Sequence, residues 1–524
     1  MKNFSSRCRR ISAAGILLLL ALPSDPLFAA NTKRRKARSA KSTAARAVAA
    51  QPSTASAATT NVPLLERLMA VVRKPPILPR TEYAVAVTRV GSPEPVLSYN
   101  GDRPLILAST TKVFTTAAAL DRLGTDYRFK TRFFREGEID ANGTLNGRLV
   151  VVGGGDPALS GRLYGNDPLA VFRPVADSLY ARGIRRITGG LLLDASFFDD
   201  QRTHPDWPDE QAQYWWQAPV SALSYNDNVV LVRATGNSRP GAPAYLGFHP
   251  AGPHALSLAG RVTTISGLGA SVGVRRQAGS STIVAAGLVG RNRTWFGDIT
   301  VPNPPLYMGA ALTQVLNEAG IEVLSAPTVT TQPARPDEAA ARVLLHSHET
   351  PIVPVLSVAN KRSQSFYSEQ ILKTLGAEKE GKGTWENGRR EVASFLTSLG
   401  LDASRYELAD GSGRSRNNRA TANAYLDFLN VLATRWDKFA TFEPTLAISG
   451  DMAGTLRHRF LSELVRGKVY GKTGNIAGVV TLTGYVTAKS GQKYAFVILI
   501  NGGCPEGRGH AWQDRFVNEL ARFG

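Results

Sequence analysis

Apolar and polar positions alternate with period two in two runs, TEYAVAVTRV and PVLSYN, on either side of Gly91-Ser92-Pro93. Side chains on a strand point alternately to its two faces, so the pattern predicts a hairpin. Just before it, VPLLERLMAVV has helical spacing. After it, Val113, Phe114, Ala117, Leu120 and Leu123 recur at helical spacing and stop at Gly124, predicting a helix that Ser109 or Thr110 starts. Between about 129 and 345 short β-rich runs alternate with turn clusters, among them TRFFREG, GRLVVVGGG and GGLLLDASFF. Residues 227–295 read as all-β, and 305–320 as helix. Beyond 350 helical patterns dominate: PIVPVLSVA, SFYSEQILKTLG, GRREVASFLTSLG and TANAYLDFLNVLA. The chain closes with a hairpin, GVVTLTGYV and KYAFVILIN joined by TAKSGQ, and an amphipathic helix, HAWQDRFVNELARF.

Composition adds an organisation. The 524 residues are 43% hydrophobic, which suits several folded units. Of the formal net charge of +20, half falls in residues 1–61, where eleven Lys and Arg face one acid, Asp25. Lys2, Arg7, Arg9 and Arg10 precede an apolar run, Ile16 to Leu22, and small residues at Ala29 and Ala30. This reads as an export signal over 1–30 with a periplasmic destination. Residues 31–61 are a basic Ala/Ser/Thr tract that cannot bury a core and read as a disordered linker. It reads first as a solvated spacer, and its charge suits membrane head groups or acidic wall polymers rather than nucleic acid. Nothing after residue 30 is apolar for long enough to span a bilayer. Cys8 falls in the signal, which leaves Cys504 without a disulfide partner.

Three short stretches carry candidate chemistry. Ser109-x-x-Lys112 puts a hydroxyl and an amine on one side of a helix start. A lysine desolvated there can lose its proton and take one from the serine. The alternative is a helix cap with a surface lysine. Lys472-Thr473-Gly474 opens an apolar strand. A cation and a hydroxyl there can hold a carboxylate, and the glycine allows close backbone approach. Ser363, in ANKRSQSFYSEQ, supplies a hydroxyl between them, its alternative being an N-cap.

The order S-x-x-K, S-x-N, K-T-G is that of penicillin-binding proteins and β-lactamases. The roughly 250 residues between Ser109 and Ser363, with the stretches LASTTKVFTTAAAL, GGGDPALS, APVSALSYNDN, ADGSGRSRNN and GDMAGTLRHRF, resemble a narrower group. These are the class C low-molecular-mass penicillin-binding proteins, the serine D-Ala-D-Ala carboxypeptidase/endopeptidase family. The resemblance implies an α/β (α+β) transpeptidase-like domain, an antiparallel sheet flanked by helices, in two parts, 62–128 and 346–524. A large, mostly β, two-part insertion over 129–345 would divide it. It implies Ser109 as nucleophile, Lys112 as base, Ser363 as proton relay, and Lys472 as an electrostatic group. Thr473 would take the terminal carboxylate, Gly474 would let the substrate backbone come close, and the N–H groups of Ser109 and Asn475 would form an oxyanion hole. Asp156 would hold an amine of the stem peptide or simply order a turn, and Arg416 would hold a carboxylate or lie on the surface. Asp410 reads as a turn residue. Stem peptides of peptidoglycan would be substrates and β-lactams covalent inhibitors, with no cofactor or metal. The alternatives are an impaired wall-binding protein, or a β-lactamase or esterase.

One departure stands out: Ser365 occupies the place of the family's asparagine, so either water replaces a lost contact or turnover weakens. Gly153-Gly154-Gly155 lacks the spacing of a dinucleotide fingerprint. His346 and His348 have no third ligand, and Tyr214-Trp215-Trp216 reads as core packing.

Overall fold

The computed structural model describes residues 63–75, 81–249 and 255–524. The expected signal, Cys8 and the basic linker lie outside them.

A six-stranded antiparallel sheet organises the molecule, in the order Ala447–Ile448, Val469–Ile476, Val479–Thr487, Lys493–Asn501, Glu82–Arg89, Pro95–Tyr99. Both predicted hairpins are present. The first long strand pairs with the last, with Tyr83 opposite Ile500 and Arg89 opposite Tyr494. Both sheet faces are covered. Tyr494, Phe496, Ile498 and Ile500 point to one face, against Leu68 and Val72 of the helix Leu64–Val72 and Trp512, Phe516 and Leu520 of the helix Glu506–Phe523. Ala495, Val497 and Leu499 point to the other, against Phe114, Ile371, Tyr425 and Leu429. This is why the closing strand reads as an almost unbroken apolar run: alternate residues enter two different cores.

Residues 129–345 hold their own core, which runs from Phe133 to Leu345. A seven-stranded sheet spans it, with Arg128–Ile139 between Thr144–Val152 and Val343–Pro351. That last strand crosses the boundary expected at 345. Two three-stranded sheets fill the all-β stretch, and their final strand, Thr294–Thr300, extends past 295. The helix Pro304–Glu318 lies where the spacing put one, with the Asn303 side chain accepting from Leu306 N–H as its cap.

Candidate active site

The first motif does not begin as a plain capped helix. Residues Ala108–Thr111 form a 3₁₀ turn, Ala108 has a left-handed φ of 48°, and the α-helix Lys112–Leu123 follows without a side-chain cap. Ser109 is thus free of capping. Its Oγ lies 3.0 Å from Lys112 Nζ.

Lys112 is wholly buried. Its Nζ also reaches the Ser412 carbonyl at 2.6 Å and Ser365 Oγ at 3.3 Å. Burial pulls its pKa down to about 8, with the charges of Glu369 and Asp410 opposing the fall. A neutral amine here can donate to Ser412 O and Ser365 Oγ and still accept from the Ser109 hydroxyl.

The second motif also departs from its cap alternative. The helix Ser365–Glu380 starts two residues after Ser363, with Gln364 at its N-cap position. Ser363 itself has a left-handed φ of 56°, and its Oγ accepts from Lys472 Nζ at 2.8 Å. Gln364 is buried and donates through Nε2 to Asp227 Oδ2 at 3.0 Å, in the middle of Asn226, Asp227 and Asn228, all of positive φ. Arg162 pairs with the same carboxylate. Ser365 needs no intervening water to reach the lysine of the first motif, because its own hydroxyl makes the contact.

The third motif runs along the strand Val469–Ile476. Lys472 is buried, and its Nζ also donates to Thr473 O at 2.7 Å. Burial first, and the nearby Lys112 second, hold its pKa well below the ordinary lysine value. Thr473 Oγ1 donates to Thr455 Oγ1 at 2.9 Å, and Asn475 is exposed. Gly474 passes so close to the first motif that a Cβ there would stand 3.0 Å from Leu107 O and 3.1 Å from Ser109 N. The strand thereby sits against the backbone of the serine.

The structure joins Ser109, Lys112 and Ser365 in one set of contacts and Ser363 and Lys472 in another, with Lys472 near enough to Lys112 for the two charges to oppose. Asp156 lies elsewhere in character. It is 1% exposed, accepts from Thr350 Oγ1 at 2.6 Å and Ala158 N at 2.8 Å, and burial raises its pKa to about 6. Its oxygens face protein donors, which favours the turn role. Arg416 is exposed and donates to Ala477 O at 2.8 Å, just beyond the third motif. Asp410 orders its glycine turn as expected, accepting from Gly413 N at 2.7 Å and Ser415 N at 2.6 Å. Tyr214, Trp215 and Trp216 are not core: Tyr214 is exposed and stacks on Trp216 at 4.5 Å, with both tryptophans half-buried. Among the described residues no group of three His, Cys, Asp or Glu could hold a metal, and no helix is long and apolar enough to cross a membrane. Cys504 is buried and its thiol pKa is raised.

Motif reading missed Ser412 and Thr455. Ser412 offers Lys112 its carbonyl, which any residue carries. Its signal lies in Gly411 and Gly413: at Gly413, φ +80°, a Cβ would meet Ala108 O at 1.8 Å. Thr455 lies in GDMAGTLRHRF without a spacing that ties it to Thr473.

A sequence profile of the D-Ala-D-Ala carboxypeptidase 3 (S13) family matches residues 64–522. A D-alanyl-D-alanine carboxypeptidase of Actinomadura sp. (strain R39) is 30% identical over 465 residues, 86% of this chain and 84% of that protein. The D-alanyl-D-alanine carboxypeptidase DacB of Haemophilus influenzae is 28% identical over 417 residues, 78% of this chain and 82% of its own length. The crystal structure of penicillin binding protein 4 from Haemophilus influenzae superposes with a TM-score of 0.74 at 24% identity, covering 87% of this chain and 99% of that one.

Proposed function

This chain belongs to the D-Ala-D-Ala carboxypeptidase 3 (S13) family, a family of serine hydrolases, and on that footing we propose how its own residues perform the hydrolysis. Ser109 Oγ attacks the carbonyl of the penultimate D-Ala of a peptidoglycan stem peptide, and its proton passes to neutral Lys112. The N–H groups of Ser109 and Asn475 hold the oxyanion. Each such donor supplies about 3–4 kcal/mol of transition-state stabilisation in enzymes of this kind. The C–N bond then breaks. The proton reaches the leaving amine of the terminal D-Ala through Ser363, whose hydroxyl Lys472 holds. Thr473 and Arg416 take carboxylates of the peptide. Water cleaves the ester, giving a carboxylate and free Ser109.

The observation that carries this reading is a wholly buried lysine amine 3.0 Å from the serine hydroxyl. The contact from Ser365 Oγ to the same amine weighs against an impaired site, because it fills the place of the usual asparagine. The same attack opens a β-lactam ring and leaves an adduct on Ser109. An endopeptidase action on crosslinks needs only a longer leaving group on the amine side. The basic and then apolar start of the sequence supports export to the periplasm, and the basic tract after it suits an acidic wall polymer or membrane surface.

The test is labelling of purified protein with a fluorescent penicillin, read by gel and intact mass beside Ser109→Ala, followed by release of D-Ala from a stem peptide. A one-to-one adduct lost in the variant is expected. A folded wild-type protein that neither labels nor releases D-Ala would leave a wall-binding protein instead.

A further inference from the structure

The helix Ser365–Glu380 is buried on all sides over residues 365–377, yet it carries a polar stripe at four-residue spacing: Ser365, Glu369 and Lys373. Residues four apart share a face. Ser365 touches Lys112 directly. One turn further on, Glu369 is wholly buried, and its Oε2 accepts from Gly411 N–H at 3.0 Å and Trp385 Nε1 at 2.8 Å. The carbonyl of Gly411 accepts from Thr115 Oγ1 at 2.8 Å, so Gly411 is held at both its N–H and its carbonyl, by the Ser365–Glu380 helix and by the helix that begins at Lys112. The next carbonyl, Ser412 O, is the one 2.6 Å from Lys112 Nζ. A buried carboxylate is costly unless it is paired and hydrogen-bonded.

Resting on the roles of Ser109 and Lys112 given above, we propose that Glu369 is a positioning residue for acylation: by holding Gly411 N–H it fixes the 411–412 segment whose Ser412 carbonyl meets Lys112, and it supplies the negative charge that balances the lysine when it takes the serine proton. It acts through Lys112 and the loop, without touching substrate. The other charged groups facing this cluster are known. Asp410 lies beside it and Lys472 faces Lys112 from the third-motif strand. Lys373 is neutralised by Asp199 and stacks on Trp385, and His204 packs its ring edgewise on Trp385. Burial first and Asp410 second raise the Glu369 pKa, burial lowers that of Lys112, and the Glu369 charge opposes the fall at Lys112.

A carboxylate near an ammonium raises the lysine pKa; a neutral amide of the same shape does not. Glu369→Gln keeps an oxygen for Gly411 and Trp385 but removes the charge. The second-order rate of acylation by a fluorescent penicillin is measured against pH for wild type and variant, beside thermal melting. The acid limb of the variant is expected to move down by about one pH unit. A residue that only supports the fold would change melting or the plateau rate and leave the limb in place, and an unmoved limb overturns the proposal. Trp385→Phe gives an independent route if Glu369→Gln does not fold. It takes one donor from the carboxylate, favours the protonated form, and is expected to move the limb the same way by less. Wild type that labels while neither variant's limb moves sinks this inference alone. Wild type that does not label sinks the acylation reading and the inference with it.

Discussion

Lys112 is where burial turns into chemistry. In water its amine would stay protonated to near pH 10. Enclosed in the core and facing three oxygens, it holds its proton only to about pH 8. With Lys112 as the proposed base, acylation takes the neutral amine, so the rate should rise with pH through about 8 and fall away below it, as stopped-time labelling across pH 5.5–9.5 would record. Lys112→Arg, which cannot give up its proton, should label at least about a thousandfold more slowly while keeping the fold. Ser365→Ala removes one of the three partners of the amine and should slow acylation by about tenfold. Ser365→Asn should keep or raise the rate.

At the scale of elements, the site depends on three backbones brought unusually close. The third-motif strand can lie against Ser109 because Gly474 has no Cβ, and the 411–413 loop can lie on Ala108 because Gly413 has none. Gly413→Ala would place a methyl 1.8 Å from the Ala108 carbonyl at a φ of +80°, which no side-chain rotation relieves. It is expected to displace Ser412, lower the melting temperature and abolish labelling. The helix below the serine is held by packing. Phe114 stacks on Phe428 at 4.4 Å and touches Tyr406 and Tyr425, so Phe114→Ala should cost about 3–5 kcal/mol in a denaturant titration.

At the scale of the whole molecule, the inserted region reaches into the second motif. Asp227, in the turn Asn226–Asn228, accepts from Gln364, the residue between Ser363 and Ser365. Asp227→Ala should free Gln364, relax the left-handed conformation of Ser363, and slow acylation by about tenfold, a hydrogen bond to a charged group being worth about 1.5–3 kcal/mol. Labelling kinetics set beside thermal melting check it. Melting should change little by comparison if Asp227 acts on the motif, and in step with rate if it serves only the fold.

Much of this was legible in the sequence. The two hairpins, the terminal helix and the helix after Ser109 follow from periodicity, because an apolar face must recur at the period of its element to be buried. Ser109, Lys112, Ser363 and Lys472 were visible as motifs. The helix starts expected at Ser109 and Ser363 lie slightly further on, and the cap alternatives fall away: both serines sit just outside their α-helices, in turns whose left-handed residues Ala108 and Ser363 carry no sequence signal as glycine would. The tertiary structure alone decided that the first strand joins the last, that Asp156 faces inward, and that Ser365 reaches Lys112. It alone placed the Glu369 carboxylate on Gly411 N–H, one residue before the carbonyl that Lys112 meets. Local pattern specifies which side chains are buried together on one element. Which element supplies the partner depends on contacts hundreds of residues apart, such as the 253 between Lys112 and Ser365, and no period along the chain encodes these.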